Sequence, residues 1–123
     1  MKNLFTKSAI LFAGFLLAMV SPLLVTSQIV SAPGGGLWTS GTTWVGGIVP
    51  GPADNVVISS TVSALGNTCN NLTVASGGVL RNHSNNTYAL YVNGNFSNSG
   101  TVTNNVSYSF NLYVNGNVSN NGV

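Results

Sequence analysis

Asp54, Cys69, Arg81 and His83 are the carboxylate, thiol, guanidinium and imidazole side chains past position 7, the groups best suited to exchange a proton, attack an electrophile, hold a metal ion or pair with an anion. Acid–base catalysis uses two well-placed titratable groups, and glycoside cleavage uses a pair of carboxylates. One aspartate, no glutamate and one histidine cannot supply that pair. Asp54 and His83 could join a serine in a triad, yet no nucleophile-elbow sequence accompanies them. Cys69 and His83 fall short of the three or four ligands of a zinc site, and one carboxylate falls short of a calcium site. The glycines at 34–36 and the "VNGN" stretches lack the Gly-Lys-Ser/Thr of a phosphate loop. The sequence therefore assigns no catalytic, cofactor-binding or metal-ligating residue, and the expected protein is not an enzyme. Asp54 is expected to cap a turn, and His83, inside "RNHSNN", to sit in a solvated loop. Cys69 is expected to act as a small buried apolar residue, although a lone thiol in an exported chain could also pair between chains.

The other charges are Lys2 and Lys7, which precede an apolar run over residues 9–25. A basic start, an apolar middle and the small residues near Val25-Thr26-Ser27 make residues 1–27 a secretory signal peptide. Cleavage is expected after Ser27; a cut after Ala32 would leave Pro33 directly behind it. An uncleaved anchor is the alternative, which Pro22 and the polar residues 26–28 disfavour. Without the signal, the net charge of +2 disappears and Arg81 faces Asp54 alone. The isoelectric point near 9.0 thus belongs to the export signal. No basic patch remains for nucleic acid. The expected location is secreted or on the outer cell surface, with membrane contact only through the signal. Six N-x-S/T sequons begin at Asn71, Asn82, Asn85, Asn95, Asn105 and Asn117. In a chain this rich in Asn, Ser and Thr they arise by composition.

Residues 28–36 contain "SAPGGG" and read as a flexible linker. Residues 37–62 carry both tryptophans, Trp38 and Trp44, then turn signals at Gly46-Gly47 and Pro50-Gly51-Pro52, then the strand-like "NVVISSTV". Over residues 63–123 no 3.6-residue apolar period appears. Seventeen asparagines lie between Asn55 and Asn121. Disorder is not implied, because Val, Leu, Tyr and Phe recur in short alternating runs: "NLTV", "ALYV", "GTVT" and "NLYV". They read as half-buried strands punctuated by Asn-Gly and Ser-Gly turns.

The hexamer "LYVNGN" occurs at 90–95 and again at 112–117. A shift of 22 residues makes nine of the 14 pairs between 88–101 and 110–123 identical. A fainter copy sets Leu72 and Val74 about 18 residues ahead of Leu90 and Val92. Such a unit cannot bury its own apolar side but can do so by stacking. The expected fold is all-β, a parallel β-solenoid of about 18–22 residues per coil. Leu90 and Val92 would face inward over Leu112 and Val114, with Tyr91 and Tyr113 outside. Gly94 and Gly116 would fall at corners where positive φ favours glycine, and asparagines beside them could stack as amide ladders. The Tyr91–Tyr113 row could hold a sugar ring, or could simply be cross-strand packing. An antiparallel β-sandwich, with "YVNGNF" as a hairpin, is the alternative.

"WTSGTTWVGGIVPGPADNVVI", then "CNNLTVASGGVL", then "LYVNGNFSNSGTV" resembles the N-terminal part of large secreted surface proteins of Bacteroidetes-type bacteria. That resemblance implies a right-handed parallel β-helix and an adhesin-like protein exported by type IX secretion. It supplies no catalytic residues. The last repeat stops mid-coil, so the chain is expected to be a fragment with further domains downstream. The functional expectation is a non-enzymatic structural or adhesin-like segment, with extracellular glycans or surfaces as conceivable partners. The alternatives are a glycan-binding module and the start of a β-helical polysaccharide-degrading enzyme whose catalytic residues lie past Val123.

Overall fold

The computed structural model describes residues 27–105 and 107–123. The expected signal peptide, apart from Ser27, lies outside the described residues. The strands follow in the order β1 (Gln28–Val30), β2 (Gly36–Leu37), β3 (Asn55–Ile58), β4 (Thr61–Ala64), β5 (Thr68–Cys69) and β6 (Leu72–Val74). They continue with β7 (Val79–Asn82), β8 (Tyr88–Val92), β9 (Phe96–Asn98), β10 (Thr101–Thr103), β11 (Phe110–Val114) and β12 (Val118–Asn120). One 3-10 turn, Gly41–Thr43, interrupts them.

These short strands form three parallel sheets, ordered β1-β3-β6-β9-β12, β2-β4-β7-β10 and β5-β8-β11. The chain visits the sheets in turn and returns, a β-solenoid of about four turns. Every strand-to-strand ladder is parallel, and β8 and β9 belong to different sheets. The hairpin reading of "YVNGNF" therefore fails: its Asn-Gly turns a corner instead of reversing the chain.

The side-chain alternation of each strand determines what lies inside. One sheet sends in the column Ile29, Val56, Leu72, Phe96 and Val118, each paired with the next. A second sends in Val62, Leu80 and Val102. The third contributes Leu90 over Leu112, and Cys69, Val92 and Val114 in register. Most of these are fully buried, at about 1.5–3 kcal/mol for each large aliphatic side chain. Column spacing gives the coil lengths. They are 18 and 22 residues along Val62, Leu80 and Val102, but 16, 24 and 22 along Val56, Leu72, Phe96 and Val118. The 22-residue repeat is thus one of several coil lengths, the difference being taken up at the corners.

Two sequence expectations are corrected here. Leu72 and Val74 are not an earlier copy of Leu90 and Val92: they pair with Phe96 and Asn98, and the true predecessor of Val92 is Cys69. Residues 28–36 are not a loose linker, since β1 pairs with β3 and β2 with β4. Glycine is needed there because Gly35 and Gly36 have φ of 59° and 136°. A Cβ at Gly35 would also overlap the Thr61 carbonyl oxygen.

Residues 37–50 close the first coil. Trp38 and Trp44 are buried edge to face, with centroids 5.1 Å apart, and the Trp44 Nε1–H donates to the Trp38 carbonyl at 2.7 Å. Ala32 N–H donates to Thr43 O at 2.7 Å, and Val45 N–H to Val30 O at 2.9 Å. Residues 43–45 thereby lie antiparallel along the outer edge of β1.

Candidate functional site: asparagine ladder and tyrosine pair

The residues with possible chemistry fall on three different sheets: Asp54 before β3, Cys69 on β5, and Arg81 and His83 on and just after β7. Asp54 stands before β3, where its Oδ2 accepts the Gly51 N–H at 2.8 Å and closes the Pro50–Asp54 turn. His83 follows β7 in a different sheet, and its backbone N–H donates to Ala64 O. The Arg81 Nε–H donates to Ser63 Oγ at 3.2 Å on its own sheet. Cys69 is buried beneath Val92, and burial pushes its thiol up to about 12, far from a usable thiolate. No group of three His, Cys, Asp or Glu side chains gathers among the described residues.

Asparagine does what the titratable residues do not. Asn55, Asn71, Asn95 and Asn117 each precede the inward apolar residue of their strand, so they fall in one column across four coils. Asn55 Oδ1 accepts the Asn71 N–H at 3.3 Å and the Asn71 Nδ2–H at 2.9 Å. Asn71 Oδ1 accepts the Asn95 N–H at 2.8 Å, and Asn95 Oδ1 accepts the Asn117 N–H at 2.9 Å. Each side-chain oxygen thus binds the backbone of the next coil at a corner where the strand ladder is interrupted. Side-chain amides also span coils elsewhere. Asn70 Nδ2 donates to Asn55 Oδ1, and Asn98 Nδ2 to Asn120 Oδ1 at 2.8 Å. Buried Asn82 donates to the Asn86 and Tyr108 carbonyls and accepts the Asn105 N–H.

Gly94 and Gly116 occupy the turns between β8 and β9 and between β11 and β12. Their φ values are not positive, so the conformational reason expected for them does not apply. Close approach is the actual reason. A Cβ at Gly94 would overlap the Asn71 amide oxygen, and one at Gly116 would overlap Asn95 Oδ1 and the Gly94 carbonyl. The glycine is the space into which the ladder of the preceding coil fits.

Tyr91 and Tyr113 pair directly in register on the outer face, 48% and 51% exposed. Their centroids lie 5.1 Å apart with planes at 12°, so each ring covers one face of the other. Sequence reasoning missed Ser31, whose buried Oγ accepts the Ser59 and Ser60 N–H groups at 2.9 and 3.1 Å. Its place in "SAPGGG" gave no periodic signal. A groove of about 310 Å³, lined by Phe96, Val102, Leu112, Val114, Val118 and Val123 among others, opens at the last coil. It is the end of the apolar core, where no further coil covers those columns in this structure.

The fold and these contacts define a parallel β-solenoid zipped by asparagine, with Asp54 and Arg81 the one carboxylate and the one guanidinium among its described residues. No family model, curated protein or solved structure matches the chain.

Proposed function

We propose that this chain is a non-enzymatic, exported structural segment, a rod-like β-solenoid of a surface protein, adhesin-like in use. The asparagine ladder carries that reading: its side-chain oxygens bind coil to coil, which is mechanical work. The apolar run behind Lys2 and Lys7 supports export, and the resemblance to Bacteroidetes-type surface proteins supports a type IX route. A rod of this kind has few charged side chains to offer a charged partner, since Asp54 and Arg81 are its only acid and base after signal removal.

A glycan-binding role is the second reading, favoured by the exposed Tyr91–Tyr113 stack. Both are tested together by presenting the purified chain to a glycan array and to soluble polysaccharides. The structural reading expects no turnover and no binding that depends on the tyrosines. Binding that disappears in the Tyr91→Ala/Tyr113→Ala double variant, with its β-type circular dichroism kept, would replace it with a lectin-like one. Turnover of a polysaccharide would sink both.

A further inference from the structure

The Asn-Gly corners carry a reaction of their own. Three such pairs occur: Asn93-Gly94, Asn115-Gly116 and Asn121-Gly122. In this pair the glycine main-chain nitrogen, losing its proton to solvent base, can attack the asparagine Cγ. The new N–Cγ bond forms as the bond from Cγ to the side-chain nitrogen breaks, and that nitrogen leaves as ammonia. The resulting succinimide takes up one water at either ring carbonyl and opens to aspartate or isoaspartate. The step needs no oxidant or reductant, only an available glycine N–H and an asparagine side chain able to swing onto it.

The solenoid distributes those two freedoms unequally. Gly94 N–H donates to the Asn70 carbonyl at 2.9 Å, and the Asn93 Nδ2–H is tied to the Pro52 carbonyl at 3.3 Å. Gly116 N–H is likewise held, by the Gly94 carbonyl at 2.9 Å, but the Asn115 side chain makes no hydrogen bond among the described residues. At the third pair neither the Gly122 N–H nor the Asn121 side chain has a hydrogen-bond partner among the described residues. We propose that these corners are self-modifying sites whose rates are graded by coil-to-coil bonding: Asn121 converts first, Asn115 second and Asn93 last.

The consequences follow from the same features. Each conversion adds a carboxylate to a chain whose only acid is Asp54. Isoaspartate at position 93 also adds a backbone atom between β8 and β9, against a register that pairs Phe96 with both Leu72 and Val118. Reaction of Asn93 therefore requires its coil to open first, and the same lock that zips the rod protects it chemically.

The test is a time course of the purified full chain in mildly alkaline buffer, with peptide mapping by mass spectrometry and isoelectric focusing. A parallel sample is kept in concentrated denaturant. In the folded chain Asn93 should convert at least about tenfold more slowly than Asn121, as expected when reaction awaits local opening, with Asn115 between them. In denaturant the three rates should converge. Equal rates in the folded chain, or an order that persists in denaturant, would overturn the proposal.

Discussion

Cys69 is the one described side chain whose ionisation the fold strongly resists. Desolvation raises its pKa from 9.0 to about 12 because the thiolate would stand among Val92, Leu72 and their neighbours. The sign is fixed by linkage. The folded state holds the proton more tightly, so the stabilisation is complete below pH 9 and is lost as pH rises toward 12. Across that window stability should fall by about 1.4 kcal/mol per pH unit from this group. Urea midpoints should show this slope in the parent and not in Cys69→Ala, after correction for the smaller core. A slope unchanged in the variant would place the titration elsewhere. Glycines separate just as cleanly by cause. Gly77 has φ of 83° with open space around it, whereas Gly94 lacks positive φ but faces the Asn71 amide. Gly77→Ala should cost about 1 kcal/mol by conformation alone. Gly94→Ala should cost about 1–3 kcal/mol by overpacking, and truncating the obstacle with Asn71→Ala should relieve part of it. Thermal melts of the two single variants and the double variant measure that coupling.

At the scale of the elements, strands were the legible part and corners the obscure part. Alternation in "ALYV" and "NLYV" gave the inward pairs Leu90/Leu112 and Val92/Val114 because period two is a property of each strand alone. Coil length was misread for Leu72 and Val74 because two corners of unequal length separate them from Leu90, and apolar spacing is blind to corners. The Gln28–Val30 strand was missed for a similar reason. Three residues are too short for a period, and "SAPGGG" behind them carries turn chemistry that looks like a linker. The asparagine column was foreseeable in kind, from stacked amides such as Asn71 on Asn55, but not in its commonest bond, which joins side-chain oxygen to the backbone N–H of the next coil. That difference makes a prediction. Asn71→Ala removes the acceptor of the Asn95 N–H and the donor to Asn55, and should destabilise by about 1–3 kcal/mol. Asn111→Ala, exposed on β11 with no ladder bond, should stay within about 0.5 kcal/mol. Equal losses in denaturant titrations would mean that the column is ornamental.

For the whole molecule, the two ends of the stack differ. At one end Trp38 and Trp44 cover the core, and residues 43–45 occupy the outer edge of β1. At the other, β11 and β12 have a neighbouring strand on one side only, β10 meets just Val123 on its outer side, and Val118 is 62% exposed. In a stack whose stability is a sum of coils and coil–coil interfaces, the coil with one neighbour opens first. Hydrogen exchange of this chain should therefore show a gradient along β3, β6, β9 and β12, with protection lowest in β12 and rising toward β6. Trp38→Ala, by about 3–5 kcal/mol of lost packing, should pull protection down in β1 and β3 while leaving β9 and β12 nearly as they were. Uniform loss across all five strands of that sheet would mean that the solenoid unfolds as one cooperative unit, and that the tryptophans stabilise the whole rod instead of sealing its first coil.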